Sequence, residues 1–188
     1  MKPMPEEMVI RHCAPTLAGL KTGSLFSCHY DSEAELQGDV RGLNRLLVPK
    51  GLRVLSLRCQ KGLALIYLYR PDRLVRDLEH PQAVRLLAER GYPCGSPDRC
   101  VVKLMGQLRQ CREFPHEIGL FLGYPPDDVA GFIRCGAKCF KCVGDWKVYG
   151  DEVEAKRLFA RYRACTRCYQ DLLRRGSTVE QLAVATGT

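Results

Sequence analysis

Leu36, Val40, Leu43, Leu46 and Leu47 recur at three- and four-residue intervals, an apolar stripe that predicts a helix ending near Val48. Ser32 and Glu35 have the spacing of a capping box at its start, and Pro49 and Gly51 close it. A different pattern follows. From Arg53 to Arg58, basic or polar side chains alternate with Val54 and Leu57, interrupted by Leu55, and Leu63 to Tyr69 is continuously apolar and aromatic. With Gln60, Lys61 and Gly62 as a compact turn between them, the two runs predict an antiparallel hairpin.

The remaining periodicity is helical. Pro5 to Arg11 predicts a short helix, and His12 to Cys28 a second in which Pro15 takes the first helical position and Leu17, Leu20 and Leu25 form the apolar face. Beyond the hairpin, Pro71 opens a helix to about Glu79, and Pro81 opens another to Arg90, bounded by Gly91. Ser96, Pro97 and Asp98 start a helix with Val101, Leu104, Met105 and Leu108 inside; Cys100 and Cys111 lie on or beside that face and read as buried. Phe114 to Leu122 predicts a short helix closed at Gly123, and Pro125 to Asp128 begins one carrying Val129, Phe132 and Ile133. Trp146 to Tyr149 predicts a third strand. Asp151 to about Arg174 predicts a long helix with Ala155, Phe159, Tyr162, Thr166, Tyr169 and Leu173 along one stripe. The expected fold is therefore α+β, predominantly helical with a small antiparallel sheet built from the hairpin and the Trp146 strand, in a single compact domain over 1–188.

Composition narrows the setting. An apolar share of 46% and a charged share of 27% are those of an ordinary globular chain. Glu6 and Glu7 stand where a secretory signal needs an apolar core, and no run approaches the roughly 20 apolar residues of a membrane span. A cytoplasmic location is expected. There, eleven cysteines are not a disulfide framework, and they read as metal ligands, reactive thiols or small buried hydrophobes. The net charge of +8 favours an anionic ligand or nucleic acid as partner, and it equally serves solubility.

Residues 134–175 concentrate the chemistry. They hold five of the eleven cysteines, the single tryptophan, and eleven basic residues against five acidic, a net +6. Cys135, Cys139 and Cys142 stand in a C-x3-C-x2-C spacing, and Cys165 and Cys168 follow as a C-x2-C pair at neighbouring positions of the long helix. Together these five could supply thiolate ligands to zinc or an iron-sulfur cluster. The first spacing also matches the cluster motif of radical S-adenosylmethionine enzymes, but no barrel of repeated strand and helix units precedes it. A second candidate is Cys13, which the predicted Pro15 helix start would place just outside a helix N-terminus, where N–H groups favour a thiolate. His116, in FPHEIGLF, is a candidate base for it; the stretch lacks the second histidine of a zinc peptidase. Walker, G-x-S-x-G and G-x-G-x-x-G patterns are all absent from the sequence.

Five blocks, HCAPTLAGLKTGSLFSC (12–28), LALIYLYRP (63–71), FPHEIGLFLGYPPDDVAGFI (114–133), GDWKVYGD (144–151) and FARYRACTRCY (159–169), resemble the bacterial domain of unknown function 3793 family, found mainly in anaerobic Firmicutes. The resemblance covers almost the whole chain and brings no established activity, cofactor or catalytic set. Related proteins near flavodoxin or iron-handling functions imply a redox or metal setting and a redox protein as partner. The leading expectation is a thiol-rich protein of metal or redox chemistry. The alternatives are an enzyme with Cys13 as nucleophile and His116 as base, and a basic module for nucleic acid or protein.

Overall fold

The computed structural model describes residues 4–110 and 114–185, so Cys111 lies outside the described residues. The helices are Glu6–Leu17 (α1), Glu33–Leu47 (α2), Pro71–Glu79 (α3), Pro81–Glu89 (α4), Pro97–Gln110 (α5), Ile118–Phe121 (α6), Pro126–Cys135 (α7), Glu152–Arg174 (α8) and Val179–Leu182 (α9). The strands are Gly23–His29 (β1), Arg53–Gln60 (β2), Leu63–Tyr69 (β3), Cys142–Val143 (β4) and Lys147–Val148 (β5). The fold is thus α+β, mainly helical with a small antiparallel sheet. The chain divides into two compact units, Met1–Asp72 with Tyr162–Thr188, and Arg73–Arg161.

The first unit holds the sheet, in the order β1-β3-β2. Between β2 and β3, Gln60 pairs with Leu63, and the two turn residues Lys61 (φ 50°) and Gly62 (φ 74°) are both left-handed. That is the geometry that matches the twist of paired strands, and glycine adopts it without steric cost. The third strand is not the Trp146 segment. It is β1, which runs antiparallel to β3 from Gly23 opposite Tyr69 to His29 opposite Leu63, whereas Lys147–Val148 pairs with Cys142–Val143 in a separate two-stranded ladder.

The helix expected to begin at Pro15 is also corrected. α1 is already formed at Glu6 and runs through Pro15, which is its third residue from the end. There the missing N–H removes a single intrahelical bond, and the chain turns into β1 a few residues later. Ser24, Phe26 and Cys28 face inward from β1, and the Ser24 hydroxyl shares a 2.9 Å hydrogen bond with that of Thr16. Ser32 caps α2 as its spacing implies, its Oγ accepting from the Glu35 N–H at 3.2 Å. The core joins Val9, Ile10 and Leu17 of α1 to Phe26, Leu36, Val40, Ile66, Leu68 and Val179.

Among the described residues of this unit, one charged side chain is buried. Arg70 is 1% exposed, and its guanidinium donates from Nε to the Thr16 carbonyl and from Nη2 to the Leu17 and Val184 carbonyls, each at 2.7 Å. Two of these carbonyls stand at the end of α1, its negative dipole end, where they also accept from the Gly19 N–H at 3.1 Å and the Val184 N–H at 3.0 Å. The arginine therefore ties the helix end, the end of β3 and the C-terminal segment together.

In the second unit, α4 and α5 begin at Pro81 and Pro97 as their sequences imply, and they bury Ala83, Leu87, Val101, Leu104 and Leu108. All four residues of α6 are buried. Gly119 of α6 has room for no side chain, because a Cβ there would stand 2.8 Å from Val129 Cγ2 and 3.0 Å from Tyr124 Cδ2. Gly131 of α7 is tighter still, with the Tyr149 ring 2.3 Å from where a Cβ would be. These close approaches bring α6, α7 and the segment after β5 into one packed cluster.

Candidate functional site: an aromatic cavity in the second unit

Asp128 organises the cavity. It lies in the first turn of α7, 3% exposed, and its carboxylate is met by three N–H donors from residues about twenty positions later. Trp146 Nε1 donates to Oδ2 at 2.6 Å, and the backbone N–H groups of Tyr149 and Gly150 each donate to Oδ1 at 2.7 Å. A carboxylate at a helix start is also favoured by the helix dipole. The result is a fixed indole. Tyr124 stacks on it at a centroid distance of 4.6 Å and an interplanar angle of 26°, and Phe159 meets it nearly edge-on at 4.5 Å and 74°. Gly144 makes room for Phe159, whose ring lies 2.2 Å from where a Cβ of residue 144 would be.

Beside this cluster lies a cavity of about 460 Å³. Its walls come from two stretches of sequence, 114–132 and 145–147, with Phe114, Tyr124, Phe132 and Trp146 as aromatic surfaces. His116, Asp128, Asp145 and Lys147 are its charged or titratable lining. The His116 ring packs edge-on to Phe132 at 4.8 Å and 83°, and Lys147 Nζ stands 5.6 Å from the Phe132 centroid and 5.5 Å from that of Phe140. A partly enclosed, mostly apolar space of this size with a few polar groups is the usual form of a small-molecule site.

His116 and Glu117, neighbours in sequence, have separate environments. His116 is exposed at the cavity, whereas Glu117 is 2% exposed, accepts from the Tyr92 hydroxyl at 3.1 Å, and lies 3.5 Å from Arg90 Nη1. The Arg90 contact is an ion pair without hydrogen-bond geometry, so Glu117 Oε2 makes none. Burial, then the charge of Glu117, pushes the Tyr92 hydroxyl pKa up. Glu117 thus anchors the α4–α5 connection rather than serving His116.

Cys13 stands inside α1, not ahead of a helix start, and is fully buried. Burial pushes its thiol up to about 12, against smaller opposing effects of Lys21 and a hydrogen bond with Ser24. The thiolate expected from a helix N-terminus is therefore not favoured. Cys13 belongs to the first unit and His116 to the second. Two outcomes follow from this burial. Alkylation of the native protein labels exposed Cys94, Cys135, Cys139 and Cys168 well before Cys13, whose labelling waits for unfolding. In addition, an unfolded thiol ionises near pH 8.5 while the folded one keeps its proton, so stability falls from roughly pH 8.5 towards about 12. Cys13→Ala flattens that part of the alkaline profile; rapid native labelling, or an identical profile in the variant, contradicts the buried-thiol assignment.

The five candidate metal ligands fall in both units. Cys135 ends α7 and is exposed, Cys139 is exposed with a left-handed φ of 58°, and Cys142 is half-buried at the start of β4. Cys165 and Cys168 lie on the part of α8 that belongs to the first unit. The Tyr149 hydroxyl, which donates to the Gly136 carbonyl, has its pKa raised by burial and then by Cys135 and Cys139. Among the described residues, however, no group of three or more His, Cys, Asp or Glu side chains is arranged to hold a metal ion. No described helix is long and apolar enough to cross a membrane.

The Asp128 anchor and the cavity were not apparent from spacing. Their one sequence signal is the single tryptophan in GDWKVYGD, whose indole N–H needs an acceptor if the ring is buried. No curated protein and no solved structure matches the chain. A family model described as protein of unknown function (DUF3793) matches residues 9–183, nearly the entire length, and the chain therefore belongs to that family.

Proposed function

We propose that the protein is a binding protein for a small organic molecule, held in the aromatic cavity of its second unit. The observation that carries this reading is the cavity of about 460 Å³ whose tryptophan wall is fixed in advance by the buried Asp128 carboxylate. Preorganised walls lower the ordering cost of binding, so the apolar surface that a ligand removes from water goes into affinity. The buried Cys13 and the absence of a three-ligand cluster among the described residues give the nucleophile and metal readings no comparable geometric support.

The chain's single tryptophan lines the cavity, so its emission reports occupancy. Titration with two-ring aromatic probes is expected to quench Trp146 saturably, with dissociation constants on the order of 10–100 µM. Phe132→Ala removes part of one wall and weakens binding by about tenfold. Linear, unsaturable quenching that is identical in the variant would sink the proposal.

A further inference from the structure

We infer that the ligand of this cavity is a planar aromatic anion, with Lys147 as the residue that selects its charge; this rests on the binding role proposed above. Lys147 is half-buried, lines the cavity, and has its ammonium over the rings of both Phe132 and Phe140, 5.6 Å and 5.5 Å from their centroids. Among the described residues it has no carboxylate within ion-pair distance. A cation in this position is partly stripped of water, and ring faces replace only part of that hydration. An anion entering the cavity supplies the missing counter-charge where the effective dielectric is lower than at an open surface.

The two carboxylates of the lining do not reverse this preference. Asp128 is engaged by three N–H donors, which compensate its charge locally. Asp145 is exposed, so solvent and salt screen it more than the half-buried Lys147. Of the charged groups in the lining, the Lys147 ammonium is thus the one left to meet a ligand's charge beside the aromatic walls. His116, exposed at the cavity and packed edge-on against the same Phe132 ring, adds a polar group to that lining. The aromatic walls accept a flat apolar body, and the ammonium accepts a carboxylate, sulfonate or phosphate attached to it.

Three matched probes separate the possibilities: naphthalene-2-carboxylate, naphthalene-2-methanol and 2-naphthylmethylammonium, each titrated into the full chain and followed by Trp146 emission and calorimetry. The carboxylate is expected to bind about tenfold more tightly than the alcohol, and the ammonium compound most weakly. Lys147→Met abolishes the carboxylate advantage, bringing carboxylate and alcohol to similar affinity, while Lys147→Arg keeps the advantage. If the alcohol binds equally well, the cationic probe binds best, or the carboxylate preference survives in Lys147→Met, the anion assignment is overturned and the binding role stands. If none of the three probes binds saturably, both fall.

Discussion

Arg70→Met is expected to destabilise the protein by about 2–4 kcal/mol, because it removes three charge-assisted hydrogen bonds from one buried junction. The side chain is 1% exposed and donates to the carbonyls of Thr16, Leu17 and Val184. Each bond is charge-assisted, and after substitution the Thr16 and Leu17 carbonyls keep only the weaker neutral bonds from the Gly19 and Val184 N–H groups. Methionine fills much of the volume, so the effect isolates polar satisfaction from cavity formation. Arg70→Lys recovers only part of the loss, since one ammonium cannot reproduce the planar fork that serves three oxygens. Chemical denaturation followed by circular dichroism measures both; a loss under about 1 kcal/mol for Arg70→Met would show that the guanidinium does not hold this junction together.

Asp128→Ala is expected to cost about 3 kcal/mol and to abolish probe binding, because the same carboxylate supports the fold of the second unit and the tryptophan wall. Its removal leaves three N–H donors without their acceptor: Trp146 Nε1, Tyr149 N and Gly150 N. The indole is then free to leave its place between Tyr124 and Phe159, and its emission shifts to longer wavelength as water reaches it. Asp128→Asn is the sharper comparison. Its amide oxygen can still accept from the two backbone N–H groups, but its NH2 then faces the indole N–H, donor against donor. Emission should therefore move in both variants, with a smaller stability loss in Asp128→Asn. Unchanged emission and melting in Asp128→Ala would show that the carboxylate does not hold the indole in place.

What was legible in the sequence was local. The Ser32 cap, the proline starts of α4 and α5, and the Lys61–Gly62 turn each depend on residues within a few positions of one another, and each is found where the pattern implies. β1 was missed for a physical reason: GSLFSCH places serine and cysteine on the buried side, so its alternation carries little hydrophobic signal, although β3 supplies a full row of partners. The error over Pro15 propagated into chemistry. Read as a helix start, it gave Cys13 a dipole-stabilised thiolate; as a residue of the last turn of α1, it accompanies a buried thiol raised to about 12.

The cavity illustrates the same limit from the other side. Asp127 and Asp128 read as an acidic helix start, which is correct for α7. The indole that binds Asp128 lies eighteen residues further on, across a segment whose cysteine spacing points towards metal chemistry. Spacing specifies which ligands are near one another in sequence, not whether their sulfurs converge. His116 is a candidate from sequence alone, but its surroundings are aromatic walls and Lys147 rather than a nucleophilic thiol of the same unit.

The most direct measurement uses the indole N–H itself. A single tryptophan gives a single indole resonance in the proton–nitrogen spectrum, and that N–H is the group held by Asp128 at the cavity wall. Adding naphthalene-2-carboxylate should move this resonance along a saturable curve whose dissociation constant equals that from fluorescence. An indole resonance that stays in place at probe concentrations saturating any other change in the protein would place the probe elsewhere and contradict the cavity as the binding site.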